Sequence, residues 1–419
     1  MRMLYVVQRY GETIAGGAEQ YCREMAERMT ERGHHVEVAT TCARSYVDWA
    51  DAYEPGRSEI AGVPVHRFRV AAPRDNYRFS GINSRMVQGR GPRPLFMQRE
   101  WMREQGPWSP DLITWTSRNA ERFDCVVCFT YLYWTTWATL DALRGHTVPL
   151  VICSTIHDEP PLRHSLFDGE FRIPDAFAMA TPEEIDLIRR RFHFTPPGDV
   201  CGIGVEVAAD LADPSRFREA YGLGDKPYLL YVGRIDAGKG AIALVDYFIA
   251  YKDRHPADDL VLVVVGDDLI EITKRDDIIG TGFVDLQMRD DAIAGALALA
   301  QPSFFESFSM ILTEAFAFGR PAIVEGKCEV LRGHAHRSNA AIPYDGFAEF
   351  ECALEMLRND PALADAMGAA GKAYVEAEYS WTSVLDRYEV LLDRTVQAGR
   401  SVKGVLETPI DGVGTDLTR

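Results

Sequence analysis

The sequence predicts an α/β protein built from two doubly wound domains. Its 419 residues are too many for one ordinary core, so two domains of roughly 200 residues are expected. Each half opens with a strand, a glycine-bearing loop, a helix and a second strand. In such domains the ligand sites lie at the carboxyl ends of the parallel strands.

The first of these units begins at the N-terminus. The apolar run "MLYVV" is typical of a strand, and apolar residues then recur at helical spacing from Tyr21 to Met29. Gly33 follows where a helix C-cap is expected, and "VEVAT" resumes the strand pattern. Together these segments predict a βαβ unit.

The second half repeats the plan with "PYLLYVGR", "IDAGKG", "AIALVDYFIAYKDRH" and "LVLVVVGDD". The last run is apolar throughout, which is typical of a parallel strand covered on both faces. Proline and glycine cluster near residues 195–208, so we predict domains at 1–200 and 201–395. A last helix is expected at about 382–395, followed by a disordered polar tail at 398–419.

Charge is unevenly distributed along the chain. The formal net charge of −17 argues against general nucleic-acid binding. Residues 57–122, in contrast, carry 12 arginines, no lysine and six acidic residues. This segment is either a surface for an anionic partner or a solvated loop region. Residues 70–120 are predicted to be irregular, and they contain Trp101, Trp108 and Trp115.

The chain shows no predicted membrane span and no predicted metal site. No apolar run approaches the ~20 residues that cross a bilayer, and the N-terminal run ends at Gln8 and Arg9. A cytoplasmic protein is therefore expected, with peripheral contact at the inner membrane face as an option. The eight cysteines are predicted to be buried free thiols. Cys125 and Cys128 have no second pair nearby, so a zinc site is not expected.

Two loops could bind phosphate. Gly16 and Gly17 lie between the first strand and its helix, where free backbone N–H groups and the helix dipole favour an anion, although a tight turn is an equal alternative. Arg234 and Lys239 bracket the equivalent loop of the second half and suit a diphosphate, unless they are merely solvated cations. Neither loop has the spacing of a dinucleotide or Walker motif.

Three further polar side chains are candidates for the same crevice. His157 follows the apolar run "VPLVICSTI", at the carboxyl end of a predicted strand, and could donate a hydrogen bond to a ligand. Glu306 and Glu314 lie eight positions apart in "FFESFSMILTE", one before and one within a predicted helix. The spacing alone proves little, because the acidic chain repeats it at Glu19 and Glu27.

The order of these motifs resembles glycosyltransferase family 4. It consists of "GGAE", "HD", "VGRIDAGKG", "GFV", "PSFFESFSMILTEAFAFGRP" and "YSW", and it extends from residue 3 to about 395. The resemblance implies the GT-B fold, in which two Rossmann-like domains face each other across a cleft. It also implies retaining transfer from a nucleotide diphosphate sugar, with no metal or other cofactor required. UDP and GDP are the expected bases ahead of ADP and TDP.

The resemblance assigns a role to each site residue. It makes His157, Arg234, Lys239 and Glu306 the catalytic group, where His157 meets the transferred sugar, Glu306 binds its hydroxyls, and the two cations hold the diphosphate. Donor binding is assigned to Gly16, Gly17, Arg234, Lys239, Phe283, Ser307, Phe308, Ser309, Met310 and Glu314. Within this set Gly17 contacts phosphate, Phe283 lines the base pocket and Glu314 binds the ribose.

The acceptor and two local departures stay open. The acceptor is expected on the N-terminal domain, as a glycan, a small molecule or a phosphate-bearing lipid held by the arginine-rich segment. There the tryptophans either stack on sugar or form a small satellite core. Ser309 stands where the family usually has glycine, and residues 328–344, with His334, His336 and Arg337, are expected to serve packing. An epimerase of the same fold and a non-catalytic donor-binding subunit are the alternative functions.

Overall fold

The computed structural model describes residues 1–14, 16–88, 93–206, 209–235, 237–266, 273 and 275–407. Within that part of the chain, eight strands form an N-terminal sheet: β1 (Arg2–Val6), β2 (His35–Thr41), β3 (Gly56–Ile60), β4 (Val63–Phe68), β5 (Cys125–Phe129), β6 (Leu150–Cys153), β7 (Ala176–Met179) and β8 (Gly198–Val200). The helices around this sheet are α1 (Gly17–Glu31), α2 (Asn76–Gln88), α3 (Leu95–Gln105), α4 (Pro110–Asn119), α5 (Trp134–Ala142), α6 (Leu166–Glu170) and α7 (Pro182–Phe192).

A second sheet follows in the chain. Its strands, as far as the structure describes them, are β9 (Tyr228–Val232), β10 (Val261–Val265), β11 (Ile278–Gly282), β12 (Ala298–Gln301), β13 (Ala322–Glu325) and β14 (Ala341–Tyr344). The accompanying helices are α8 (Pro214–Ala220), α9 (Ala241–Arg254), α10 (Leu286–Gly295), α11 (Met310–Ala317), α12 (Glu329–Ser338), α13 (Phe347–Asn359), α14 (Pro361–Glu378) and α15 (Trp381–Glu407).

Both sheets are doubly wound, which confirms the predicted fold class. The first has the order β3-β4-β2-β1-β5-β6-β7-β8, with an antiparallel β3–β4 edge and parallel pairs elsewhere. The second is parallel throughout, in the order β11-β10-β9-β12-β13-β14. The strand order reverses between β1 and β5 and between β9 and β12, so crevices for ligands are expected beyond the carboxyl ends of these strands.

The local sequence patterns explain the central elements. All five residues of β10, "VLVVV", are buried, as a parallel strand covered by helices on both faces requires. Helix α1 buries Tyr21, Cys22, Met25, Ala26 and Met29, the residues whose spacing predicted it. All eight cysteines are free, and all but Cys352 are buried.

The prediction of an irregular segment at 70–120 is wrong, because helices α2, α3 and α4 lie there. Helix α2 packs Phe79, Ile82 and Met86 against the core, but Ser80, Gly81, Asn83 and Ser84 interrupt the apolar pattern in sequence. Trp101 is 1% exposed, and Trp108 and Trp115 pack at the edge of the same core. The tryptophans therefore belong to the core of the N-terminal sheet.

The C-terminal helix returns to the N-terminal sheet. In α15, Arg394 pairs with Asp199 at 2.6 Å, and Asp386 pairs with Arg32, the C-cap residue of α1, at 2.7 Å. The helix continues to Glu407, so residues 398–407 are helical where a disordered tail was predicted. Residues 408–419 lie outside the described part of the chain. No helix in the described part is long and apolar enough to cross a bilayer.

Candidate active site between the two sheets

The loops after β9 and β12 meet at the point where the strand order of the second sheet reverses. Lys239 lies in the loop that follows β9, and Glu306 lies in the loop that follows β12. Their side chains form an ion pair, with Lys239 Nζ 2.7 Å from Glu306 Oε1. This pair is partly buried, with exposed fractions of 30% and 11%. Two residues that the sequence placed in one crevice therefore touch.

A glutamine that sequence analysis missed completes this contact. Gln301 ends β12, is 4% exposed, and donates from Nε2 to Glu306 Oε1 at 3.1 Å. The same amide nitrogen donates to Ser309 Oγ, also at 3.1 Å. A polar residue at the end of an otherwise apolar strand was the available signal, because a buried amide needs partners.

Helix α11 begins at the same place. Ser309 caps it with φ 71° and ψ 73°, a left-handed conformation. Such a conformation strains a residue with a Cβ, whereas glycine adopts it without strain. The N–H groups of Leu312 and Thr313 donate to the Ser309 carbonyl. The preceding amides, including that of Met310, therefore lie ahead of the first helical hydrogen bond, where an anion is favoured.

Phe308 does not offer its side chain to this crevice. It is 1% exposed and makes edge contacts with the rings of His334 and Tyr379 at 5.3 and 5.0 Å. The side chain of Phe308 therefore anchors the loop in the core, and its predicted contact with the donor stays a prediction for its backbone N–H group. Ser307 next to it accepts a hydrogen bond at its carbonyl from Thr181 Oγ1 of the N-terminal half.

Glu314 lies in the second turn of α11 and is almost completely buried. Burial is the main cause that raises the pKa of this carboxyl to about 7; the charge of Arg289 lowers this pKa, and the charges of Asp290 and Glu24 raise it. Arg289 Nη1 is 3.4 Å from Glu314 Oε2. Arg289 was missed in the sequence because it sits in an ordinary helix, α10, with no motif around it.

The N-terminal half supplies the opposite wall. His157 follows β6, with its Nδ1 3.4 Å from Glu159 Oε1 and its ring centre 6.2 Å from that of Phe305. A cavity of about 340 Å³ lies here, and its lining includes His157, Phe304, Phe305, Glu306 and Cys328. The histidine and the carboxylate that sequence analysis assigned to the transferred sugar therefore share one cavity.

The glycine turn before α1 rests on a buried ion pair. Arg9 Nε donates to Glu19 Oε1 at 2.8 Å, and both side chains are at most 7% exposed. A Cβ at Gly16 would lie 2.4 Å from Glu19 Oε2, so packing requires glycine there. A Cβ at Gly17 would meet no described atom within 4 Å, which leaves its backbone accessible to a ligand.

Arg234, Phe283 and the arginine-rich segment lie outside the group formed by Lys239, Glu306 and His157. Arg234 is exposed, with its Nη1 3.2 Å from the hydroxyl of Tyr46 across the cleft. Phe283 is 73% exposed just after β11. Arg90, in the arginine-rich segment, lies outside the described residues. Many arginines of that segment have structural partners, as when Arg67 donates to the Tyr10 carbonyl and Arg78 pairs with Glu104.

Side chains of residues 328–344 contact helix α7 of the N-terminal half. Arg337 of α12 holds Glu183 of α7 with two contacts of 2.6 and 3.2 Å, and Glu329 holds Arg190 at 2.7 Å. Tyr374 accepts from Arg337 Nε and bonds His334 Nδ1. Burial, aided by Arg337, lowers the pKa of His334 to about 3, so this imidazole stays neutral. His336 is exposed.

Two family models match the chain. One, described as a glycosyl transferase 4-like domain, matches residues 16–192, and the other, glycosyl transferases group 1, matches residues 226–360. The chain is a family 4 glycosyltransferase. Among curated relatives of this glycosyltransferase, the D-inositol 3-phosphate glycosyltransferase of Pseudarthrobacter chlorophenolicus is 25% identical over 93% of this chain and 94% of that protein. The alpha-D-kanosaminyltransferase of Streptomyces kanamyceticus is 28% identical over 41% of this chain and 47% of its own.

Solved structures share the GT-B fold of this glycosyltransferase. Sucrose-phosphate synthase from Thermosynechococcus elongatus superposes with a TM-score of 0.67 at 17% identity, covering 97% of this chain and 99% of the other. Anabaena HepE in complex with UDP-glucose gives 0.63 at 14% identity, covering 97% and 100%. At these identities the likeness establishes the fold, and the site must be argued from its own residues.

Proposed function

We propose that this glycosyltransferase moves a sugar from a nucleotide diphosphate sugar to an acceptor with retention of anomeric configuration. The observation that carries the proposal is the Lys239–Glu306 pair, 2.7 Å apart at the reversal point of the second sheet. A cation beside the first amides of α11 suits the diphosphate. The adjoining carboxylate suits the hydroxyls of the sugar attached to it.

The diphosphate is the leaving group in this reaction. As the bond between the anomeric carbon and the phosphate oxygen breaks, negative charge grows on the diphosphate. We expect Lys239, the exposed Arg234 and the α11 amides to stabilise that charge, together with the Gly17 backbone of the other half. With these positive groups assembled by the chain itself, we propose that no metal ion is required.

The acceptor attacks the same face from which the diphosphate leaves. A bond forms between the acceptor oxygen and the anomeric carbon while the bond to the diphosphate breaks, and the acceptor proton passes to a diphosphate oxygen. His157 and Glu306 share the cavity where the sugar would lie. Their role is to hold the sugar so that the attacking and leaving oxygens stay on one face.

Glu314 and Phe283 complete the donor site in this proposal. The carboxylate of Glu314 accepts hydrogen bonds from the ribose, and the exposed ring of Phe283 lines the base pocket. The structure of HepE with UDP-glucose, which shares this fold, makes UDP the first nucleotide to test, with GDP second. The donor domain is then 201–395 and the acceptor domain 1–200, with α15 joining them.

Retention can be tested before the acceptor is known, because water can replace it. The protein is incubated with UDP-glucose and GDP-mannose, and the released sugar is followed by proton NMR before it equilibrates between anomers. An α-linked donor is expected to release the α-anomer first. Initial release of the β-anomer would contradict retention, and the absence of nucleoside diphosphate release from any nucleotide sugar would contradict the enzymatic proposal.

The acceptor side is proposed to face an anionic lipid bilayer. Helices α2 and α3 present exposed apolar side chains at their adjoining ends, with Val87 at 36%, Leu95 at 47% and Phe96 at 70% exposure. Arg85 and Arg99 are exposed beside them. We call these five residues the basic tip. Arginines around apolar side chains complement anionic headgroups and the acyl boundary below them. We accordingly place the protein in the cytoplasm, at the inner face of the membrane.

Vesicle sedimentation tests the basic tip. Wild type is expected to bind vesicles that contain phosphatidylglycerol and to lose binding in high salt, because exposed charges are screened. The double variant Phe96→Ser, Arg99→Gln should lose vesicle binding and keep its affinity for UDP. Val390→Ser, which alters an equally exposed apolar residue on α15, serves as the control. Equal binding of wild type to purely zwitterionic vesicles, or none to either, would overturn this assignment.

A further inference from the structure

Ser309 keeps a backbone conformation that its side chain disfavours. Its φ of 71° lies in the left-handed region, where glycine is unstrained and a residue with a Cβ is not. The residue is 5% exposed at the cap of α11, in the loop that carries Glu306. Strained positions of this kind persist only where the surrounding structure holds them in place, and they cluster at functional sites.

The side chain of Ser309 belongs to a small buried network. The two amide hydrogens of Gln301 Nε2 are directed to Ser309 Oγ and Glu306 Oε1, each at 3.1 Å. Lys239 Nζ approaches the same Oε1 at 2.7 Å. Both contacts on Glu306 therefore fall on one oxygen. Because Ser309 Oγ accepts from Gln301, its hydroxyl hydrogen is directed elsewhere and can be donated.

We propose that Gln301 is a positioning residue for Glu306, and that Ser309 donates its hydroxyl to the donor diphosphate. The proposal deepens the function proposed above and rests on it. Ser309 lies at the start of α11, where the leading amides would meet the phosphate nearest the sugar. A serine here adds a side-chain donor that glycine cannot supply, so it favours diphosphate over monophosphate.

Comparison of UDP with UMP tests the role of Ser309. Both Ser309→Ala and Ser309→Gly are expected to weaken UDP binding by about tenfold, because one hydrogen bond to a charged group is lost. UMP lacks the second phosphate, so its affinity should stay unchanged. Ser309→Gly should also melt at a higher temperature than Ser309→Ala, because glycine relieves the strain. Ser338→Ala removes another buried serine, on α12, and serves as the control.

A second variant tests the role of Gln301. Gln301→Met keeps the side-chain length and removes both donors, so the Glu306 carboxylate loses its orientation. The affinity for UDP-glucose should then fall relative to the affinity for UDP, because the carboxylate binds the hydroxyls of the sugar. The turnover of UDP-glucose should fall as well. A purely structural role for Gln301 would instead lower the melting temperature and leave the ratio of UDP-glucose to UDP affinity unchanged, which would overturn its assignment.

One result would overturn the role of Ser309, and a different result would overturn the proposed function. If wild type binds UDP, and both Ser309 variants keep the wild-type ratio of UDP to UMP affinity, the Ser309 inference fails and the proposed function stands. If wild type binds no nucleotide at millimolar concentration, the proposed function itself fails.

Discussion

Lys239→Ala is expected to lower kcat/KM for donor turnover by about 100-fold to 1,000-fold, the range found when one donor to a developing charge is removed. The ammonium of Lys239 pairs with Glu306 at 2.7 Å. In the complex with the donor, the ammonium would donate hydrogen bonds to both that carboxylate and the diphosphate. Its removal therefore leaves the leaving group less stabilised and the sugar carboxylate without its cation.

The matched control is Lys226→Ala. Lys226 is exposed and precedes β9, whereas Lys239 follows the same strand at its other end. Release of nucleoside diphosphate from the sugar donor is measured for both variants, together with UDP affinity by calorimetry. The account requires Lys226→Ala to behave as wild type. Near-normal turnover by Lys239→Ala would show that the Lys239 ammonium does not stabilise the leaving diphosphate.

The affinity for UDP is expected to fall as the pH is lowered below about 7, by up to tenfold per pH unit. Burial raises the pKa of Glu314 to about 7, so the empty site takes up a proton in this range. Ribose hydroxyls donate to the ionised carboxylate and therefore favour the deprotonated form. Binding at low pH must then release a proton, which weakens it, whereas above pH 7 the carboxylate is already ionised.

Glu314→Gln isolates this effect. The amide cannot ionise, so the variant should bind UDP more weakly at pH 8 and with a flatter pH profile. The diphosphate titrates near pH 6 on its own, but that contribution is common to both proteins and cancels in the comparison. Parallel profiles for wild type and variant between pH 5.5 and 8.5 would show that the ribose does not meet this carboxylate.

The fold was predictable because the central strands and helix α1 have clear apolar patterns in the sequence. Runs such as "VLVVV" in β10 are apolar throughout, and the α1 positions from Tyr21 to Met29 follow one face of a helix. Helix α2 escaped prediction because Ser80, Gly81, Asn83 and Ser84 interrupt its apolar pattern. Helix α3 escaped because it is a short segment bounded by Pro94 and Gly106. The end of α15 escaped because the composition of residues 398–407 occurs in disordered tails as well as in helices.

The site was predictable only where motif and topology coincide. Loops after neighbouring parallel strands must converge, so Lys239 and Glu306 could be placed together from sequence. Arg289 could not, because its importance arises from a contact with Glu314 on another helix. For Gln301 the signal was weak, a single polar residue at the end of an apolar strand, and its contact with Glu306 appears only in the structure. For Phe308 the motif identified the loop but did not show that its ring turns into the core.

The central claim is that a nucleotide diphosphate sugar binds at the start of α11. A thermal-shift measurement with nucleoside diphosphates tests it most directly. Melting temperatures are measured with UDP, GDP, ADP and TDP, with and without Mg²⁺, and beside Lys239→Ala and Glu314→Ala. The account predicts stabilisation by one preferred nucleotide, without Mg²⁺, that fades in both variants. No shift with any nucleotide at millimolar concentration, or a shift that both variants retain in full, would contradict it.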